Sequence, residues 1–135
     1  MRVAVIGGTG FVGVHLVDHL LDAGHRPRLL VRSGSGHKVE RAAECELVPG
    51  DIEHPEALAR CLEGAEAVIY LIGLLRELPE RGITFEAMHR LGVESTIREA
   101  GAQGLSRFLL MSANGVRPDG TPYQRTKYQA EQALK

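Results

Sequence analysis

Short apolar runs alternate along this chain with longer stretches in which apolar positions recur at helical spacing. Val3-Ala4-Val5-Ile6 is an unbroken apolar run halted by Gly7-Gly8, which predicts a buried strand. From residue 10 or 11 to residue 23, Val12, Leu16 and Leu20 recur, with Val17 and Leu21 beside them. That spacing predicts a helix, closed by Gly24. The same reading predicts strands over 28–31, 46–48, 67–72 and 107–111. It predicts a short helix over 37–43, a helix over 55–62 with Pro55 in its first turn, a long helix over 84–100 and a last helix over 123–135.

Strands thus alternate with helices from one end to the other. Parallel neighbours need right-handed crossovers, so this order predicts an α/β doubly wound parallel sheet with helices on both faces. Ligands bind beyond the carboxyl ends of the strands in such sheets. The segments that follow the strands begin at Gly7, Arg32, Asp51, Ile72 and Ser112, and they should converge on one edge. Residues 1–135 read as one domain. The last helix runs to Ala133-Leu134-Lys135 without a Gly, Asn or Pro stop signal, so the expectation is the front part of a longer protein.

Composition narrows the partners. At 44% hydrophobic and 24% charged residues, the 135-residue chain is globular and not disordered. Sixteen basic and 17 acidic residues leave a net charge of −1, which gives no electrostatic case for nucleic acid or acidic membranes. Aromatic residues are 4% and Trp is absent, which argues against a base-stacking platform. The longest apolar stretch, 67–75, is broken by Gly73 and falls short of the roughly 20 residues of a membrane span. The N-terminus has no signal-peptide core, so the expected location is the cytoplasm, or a soluble face of a larger assembly held peripherally at the membrane through a partner. Cys45 and Cys61 form no CxxC and read as reduced thiols. His15 and His19 share a helix face but read as surface residues, and no metal site is expected.

The first glycine-rich segment, Gly7-Gly8-Thr9-Gly10-Phe11-Val12-Gly13, leaves a strand and opens a helix. Gly7 allows the tight turn, Gly10 lets a pyrophosphate approach the backbone, and Gly13 lets the helix pack closely. Thr9, Phe11 and Val12 sit where the helix N-terminus offers free N–H groups to phosphate. A dinucleotide site usually has an acid after the second strand to hold the ribose 2′-hydroxyl. Here Arg32 and Ser33 stand there, with Lys38 soon after. A guanidinium clamps a 2′-phosphate and cannot accept from a hydroxyl, which favours NADP(H) and leaves NAD(H) as the alternative.

The GxxGxxG spacing at Gly7, Gly10 and Gly13 resembles short-chain dehydrogenase/reductases of the extended and atypical kind, the epimerase/dehydratase-like branch, which implies a Rossmann-like α/β fold with sheet order 3-2-1-4-5. The resemblance implies that Asp51-Ile52 meets the adenine and that Ile72-Gly73 touches the ribose and nicotinamide side. It also implies roles for Tyr123 and Lys127 of the YxxxK run, which the i,i+4 spacing puts on one helix face. Tyr123 would be the general acid/base, and Lys127 would lower its pKa and hold the ribose. Ser112 would be the third catalytic member. The best register puts Ala113 at the acting position and Ser112 one residue early, and His89 stands where the extended enzymes carry an asparagine.

The stretches 70–77, 84–89 and 111–113, with Ala130-Glu131 after YxxxK, are similar to the atypical branch that includes an accessory subunit of respiratory complex I and its bacterial relatives. That likeness implies dinucleotide binding in a structural or redox-sensing role, within a homodimer or a membrane-associated respiratory assembly. The competing implication is an active oxidoreductase, epimerase or dehydratase using Tyr123.

Overall fold

The computed structural model describes residues 1–32, 35–74 and 76–135. Its centre is β1 (Arg2–Ile6), flanked on one side by β2 (Arg26–Val31) and β3 (Glu46–Pro49) and on the other by β4 (Ala67–Tyr70) and β5 (Phe108–Leu110). All four pairings are parallel, as the strand pattern predicts, and the order is β3-β2-β1-β4-β5, as the resemblance implies. Val3 lies opposite Pro27 on one side and Ala67 on the other.

Alternation along the strands sorts the core into two faces. Val3 and Val5 join Leu29, Val31 and Val17 of α1 (Phe11–Asp22). Ala4 and Ile6 join Val68, Tyr70 and residues of α2 (Pro55–Leu62), α3 (Gly92–Ala102) and α4 (Pro122–Leu134). Both faces of β1 are therefore covered, which is why its sequence is apolar without interruption. Cys61 is wholly buried in the second face, and burial pushes its thiol up to about 12.

Several elements differ from the sequence expectation; β2 begins at Arg26, two residues early, and β5 is confined to Phe108–Leu110. Residues 37–43 form two single-turn 3₁₀ segments, Gly36–Lys38 and Ala42–Glu44, rather than one helix. Val39 between them is extended and 7% exposed, because its side chain is drawn into the core beside α1. β4 ends at Tyr70, two residues early. The long helix begins as a π-helical segment, Glu86–Leu91, and becomes α-helical only at Gly92. Among the described residues, no helix is long and apolar enough to cross a membrane.

Candidate functional site

The turn after β1 is built by close backbone approach. Gly7 has φ of 93°, a region that side-chain-bearing residues rarely adopt. A Cβ on Gly13 would lie 2.5 Å from the Gly7 carbonyl oxygen and 2.6 Å from Gly8 backbone atoms. Helix α1 therefore starts directly on the loop. Its N-cap is Gly10, with no side-chain cap and no acid in the first turn. The leading N–H groups have no side chain to satisfy them, and an anion would complete them. A Cβ on Gly10 would meet only the Gly7 carbonyl oxygen, at 3.6 Å, so the space above the loop is open.

Two grooves flank this loop and share Gly7, Gly10, Leu71, Gly73 and Leu74. Thr9, Arg32, Asp51, Ile52 and Ile72 line the first, over an apolar floor of Ile6, Leu30 and Met88. Phe11, Val12, Gly13, Ser112, Tyr123 and Lys127 line the second. The fold thus brings nearly all the residues named from sequence to one edge. Lys38 lies on an exposed turn and is not among the lining residues, and Ser33 lies outside the described residues. Leu74, Ile83 and Met88 also line the first groove. Their only sequence signal is apolar character near a strand end or in a helix, which marks any core residue equally.

Asp51 is held by its neighbours. Its carboxylate accepts the Glu53 N–H at 3.2 Å, and its own N–H donates to His54 Nδ1 at 3.1 Å. This turn sets up α2, whose first helical residue is Pro55.

Helix α4 is started by a capping box. The Thr121 hydroxyl accepts from the Gln124 N–H at 3.2 Å, and the Gln124 side chain accepts from the Thr121 N–H at 3.0 Å. Tyr123 and Lys127 follow one turn apart. Lys127 is 5% exposed, and its ammonium donates to the Met111 carbonyl at 3.2 Å. Burial lowers its pKa, and the charge of Glu131 opposes that shift. The Ser112 hydroxyl donates to the Glu131 carboxylate. Ser112 therefore lines the groove with its hydroxyl already held by α4.

The π segment completes this end of the site. The buried Tyr70 hydroxyl donates to the Met88 carbonyl at 2.7 Å, and a Cβ on Gly92 would lie 2.2 Å from that hydroxyl oxygen. The Gly92 N–H bonds Ala87, five residues back. A tyrosine thus occupies the gap left by a glycine, and the helix widens around it. Within the widened turn, His89 accepts the Leu74 N–H on Nε2 at 2.9 Å and places Nδ1 3.0 Å from Thr126 Oγ1. Burial, with the charge of Lys127 beside it, lowers the His89 pKa to about 4.

A family model described as NAD(P)H-binding matches residues 7–135. A ceramide reductase of Caulobacter vibrioides is 38% identical over 134 residues, covering 98% of this chain and 41% of that protein. A 3 beta-hydroxysteroid dehydrogenase/Delta 5-->4-isomerase of Mycobacterium tuberculosis is 30% identical over 121 residues, covering 85% of this chain and 32% of that protein. The solved structure of a short-chain dehydrogenase/reductase superfamily protein from Agrobacterium tumefaciens, with bound NAD, superposes with a TM-score of 0.76 at 26% identity. It covers 99% of this chain and 44% of that one. The chain spans less than half the length of each of these relatives.

Proposed function

The chain belongs to the NAD(P)H-binding family of the short-chain dehydrogenase/reductase superfamily, and from that premise we propose that it binds NADP(H) and interconverts a ketone and an alcohol on a large apolar substrate. The observation that carries this reading is the second groove, where Tyr123 and Lys127 face the uncapped start of α1 across Gly73. The open space above Gly10 and the unsatisfied first-turn N–H groups fit a dinucleotide pyrophosphate. When bound, the nicotinamide supplies or accepts the hydride. Tyr123 gives its hydroxyl proton to the carbonyl oxygen as the alcohol forms, and takes it back in the reverse direction. Lys127, one turn further along the same helix face, would hold the ribose on the nicotinamide side.

Arg32 supports the choice of NADP(H). It lines the first groove, is exposed, and takes part in none of the ion pairs found among the described residues. Arg28 and Arg41, by contrast, are held by Glu46 and by Asp22 and Glu44. An apolar substrate is supported by the rim of the second groove. Phe11, Val12 and Met111 line it while 84%, 40% and 41% exposed. It is supported as well by relatives named for ceramide and for a hydroxysteroid. The test is a calorimetric titration with NADPH and NADH, followed by NADPH oxidation with sphingoid and steroid ketones. Preference for NADPH and turnover abolished in Tyr123→Phe support the reading. Equal affinities, or turnover indifferent to Tyr123, would overturn it.

One observation favours a second reading. The Ser112 hydroxyl is engaged by Glu131, and its neighbour Ala113 has none to offer. In this reading the chain holds the dinucleotide without turning it over, as a structural or redox-sensing part of a homodimer or a respiratory assembly. Tight NADPH binding with no oxidation across the ketone panel would select it.

A further inference from the structure

His89 is 1% exposed, yet neither groove is lined by it and the proposed chemistry makes no use of it. Its hydrogen bonds define its state. Nε2 accepts a backbone N–H from Leu74, so that nitrogen carries no proton. The ring proton is then on Nδ1, which donates to Thr126 Oγ1. The Thr126 hydroxyl in turn donates to the Pro122 carbonyl at 2.8 Å. One imidazole thus bridges the segment after β4 to the first turns of α4. The two bridged residues are the chain neighbours of site residues: Leu74 follows Gly73, and Thr126 precedes Lys127. The ring also stacks on Phe85 at 5.3 Å and meets the Tyr123 ring edge-on at 5.1 Å.

We propose that His89 is a positioning residue. Through its Nδ1–H tautomer it clamps the Gly73–Leu74 segment to the helix bearing Tyr123 and Lys127, and so fixes the width of the groove that takes the nicotinamide. The second half of this statement rests on the dinucleotide reading above. The clamp depends on the π segment, because the widening around the Tyr70 hydroxyl directs residue 89 between the two partners. A protonated ring would present a second N–H to the Leu74 N–H, and the bridge would open.

The test compares Kd for NADPH with Kd for 2′-phospho-ADP-ribose, which lacks the nicotinamide, in the full chain. His89→Phe keeps a ring and removes both hydrogen bonds. Thr126→Val keeps the side-chain shape and removes one. The expected result is that the preference for NADPH over the truncated ligand falls about tenfold in His89→Phe, the equivalent of one hydrogen bond. Affinity for 2′-phospho-ADP-ribose should stay within about twofold, the scale of a few tenths of a kcal/mol. Thr126→Val should move the same ratio in the same direction, and it carries the test if His89→Phe does not fold. His89→Gln, which can still accept from Leu74, should recover part of the loss. An unchanged ratio in folded His89→Phe or Thr126→Val would overturn the clamp alone. Wild-type chain that binds neither ligand would overturn the dinucleotide reading, and the nicotinamide half of the inference with it. Nitrogen-15 NMR of the ring reads the first half without any ligand: a proton on Nδ1 supports it, and a proton on Nε2 would overturn it.

Discussion

Gly13 and Gly7 are in contact through their backbones: a methyl group on the first would stand 2.5 Å from the carbonyl oxygen of the second. The neighbouring Gly8 backbone is equally close, at 2.6 Å, so no flexible side chain can give way. Gly13→Ala must lift α1 off the loop. We expect a loss of about 1–3 kcal/mol, the usual range for overpacking, and NADPH affinity reduced by at least about tenfold. Denaturant unfolding and a calorimetric titration measure the two effects.

His89 makes the fold acid-sensitive. The free side chain titrates at 6.5, whereas burial and the nearby Lys127 charge hold the folded ring neutral down to about 4. The unfolded chain therefore binds the proton first. The neutral ring's contribution is present above pH 6.5 and is lost as pH falls toward 4, a change of roughly 3 kcal/mol. Thr126, Tyr123, Phe85 and the Leu74 N–H also face the ring, and Glu131 stands behind Lys127. Unfolding titrations of wild type and His89→Asn across this window isolate the effect. The difference between the two proteins should shrink as the pH is lowered.

Arg32 should carry the cofactor preference. In Arg32→Ala the ratio of NADPH to NADH affinity should fall by about tenfold or more, because a charged hydrogen bond contributes about 1.5–3 kcal/mol. NADH affinity should hardly change. Parallel titrations of both proteins with both nucleotides decide the point.

Tyr123→Phe should separate binding from chemistry. Loss of a general acid lowers turnover by about 10²–10⁴-fold. The ring that packs on His89 and Phe85 remains, so NADPH affinity should stay within a few-fold. Steady-state kinetics beside a binding titration give both numbers.

Thr121→Ala removes one half of the capping box at the start of α4. The expected cost is about 1 kcal/mol in global stability. Because Tyr123 sits two residues into that turn, NADPH oxidation should also fall with a raised KM for the ketone. Thermal unfolding and a KM measurement check the two parts.

Much of this is legible in the amino-acid sequence. Unbroken apolar runs such as Val3–Ile6 mark strands covered on both faces, which points to a parallel sheet, and the glycine-rich loop adds the dinucleotide-binding strand order. The loop from Gly7 to Gly13 was legible because each glycine answers a local backbone demand. The π segment was not. It depends on a hydroxyl from Tyr70 reaching the missing Cβ of Gly92, a contact between residues far apart in sequence with no periodic signature. The split at Val39 has the same origin, since core packing overrides a short helix. Ser112 shows the limit for side chains. Its position beside the YxxxK groove was inferable, but its bond to Glu131 was not.

The placement of β1 also shapes how the molecule is made. β1 is synthesised before the other four strands but lies between them, with Val3 opposite both Pro27 and Ala67. During synthesis its first edge can pair as soon as β2 emerges. Its second edge waits until β4 has been made, with α1, β2, β3 and α2 translated in between. Through that interval the nascent chain exposes an apolar strand edge, the feature by which unfinished sheets aggregate. Slow codons before residue 67 would lengthen the exposure, whereas chaperone capture of the segment from β1 to α2 would protect it.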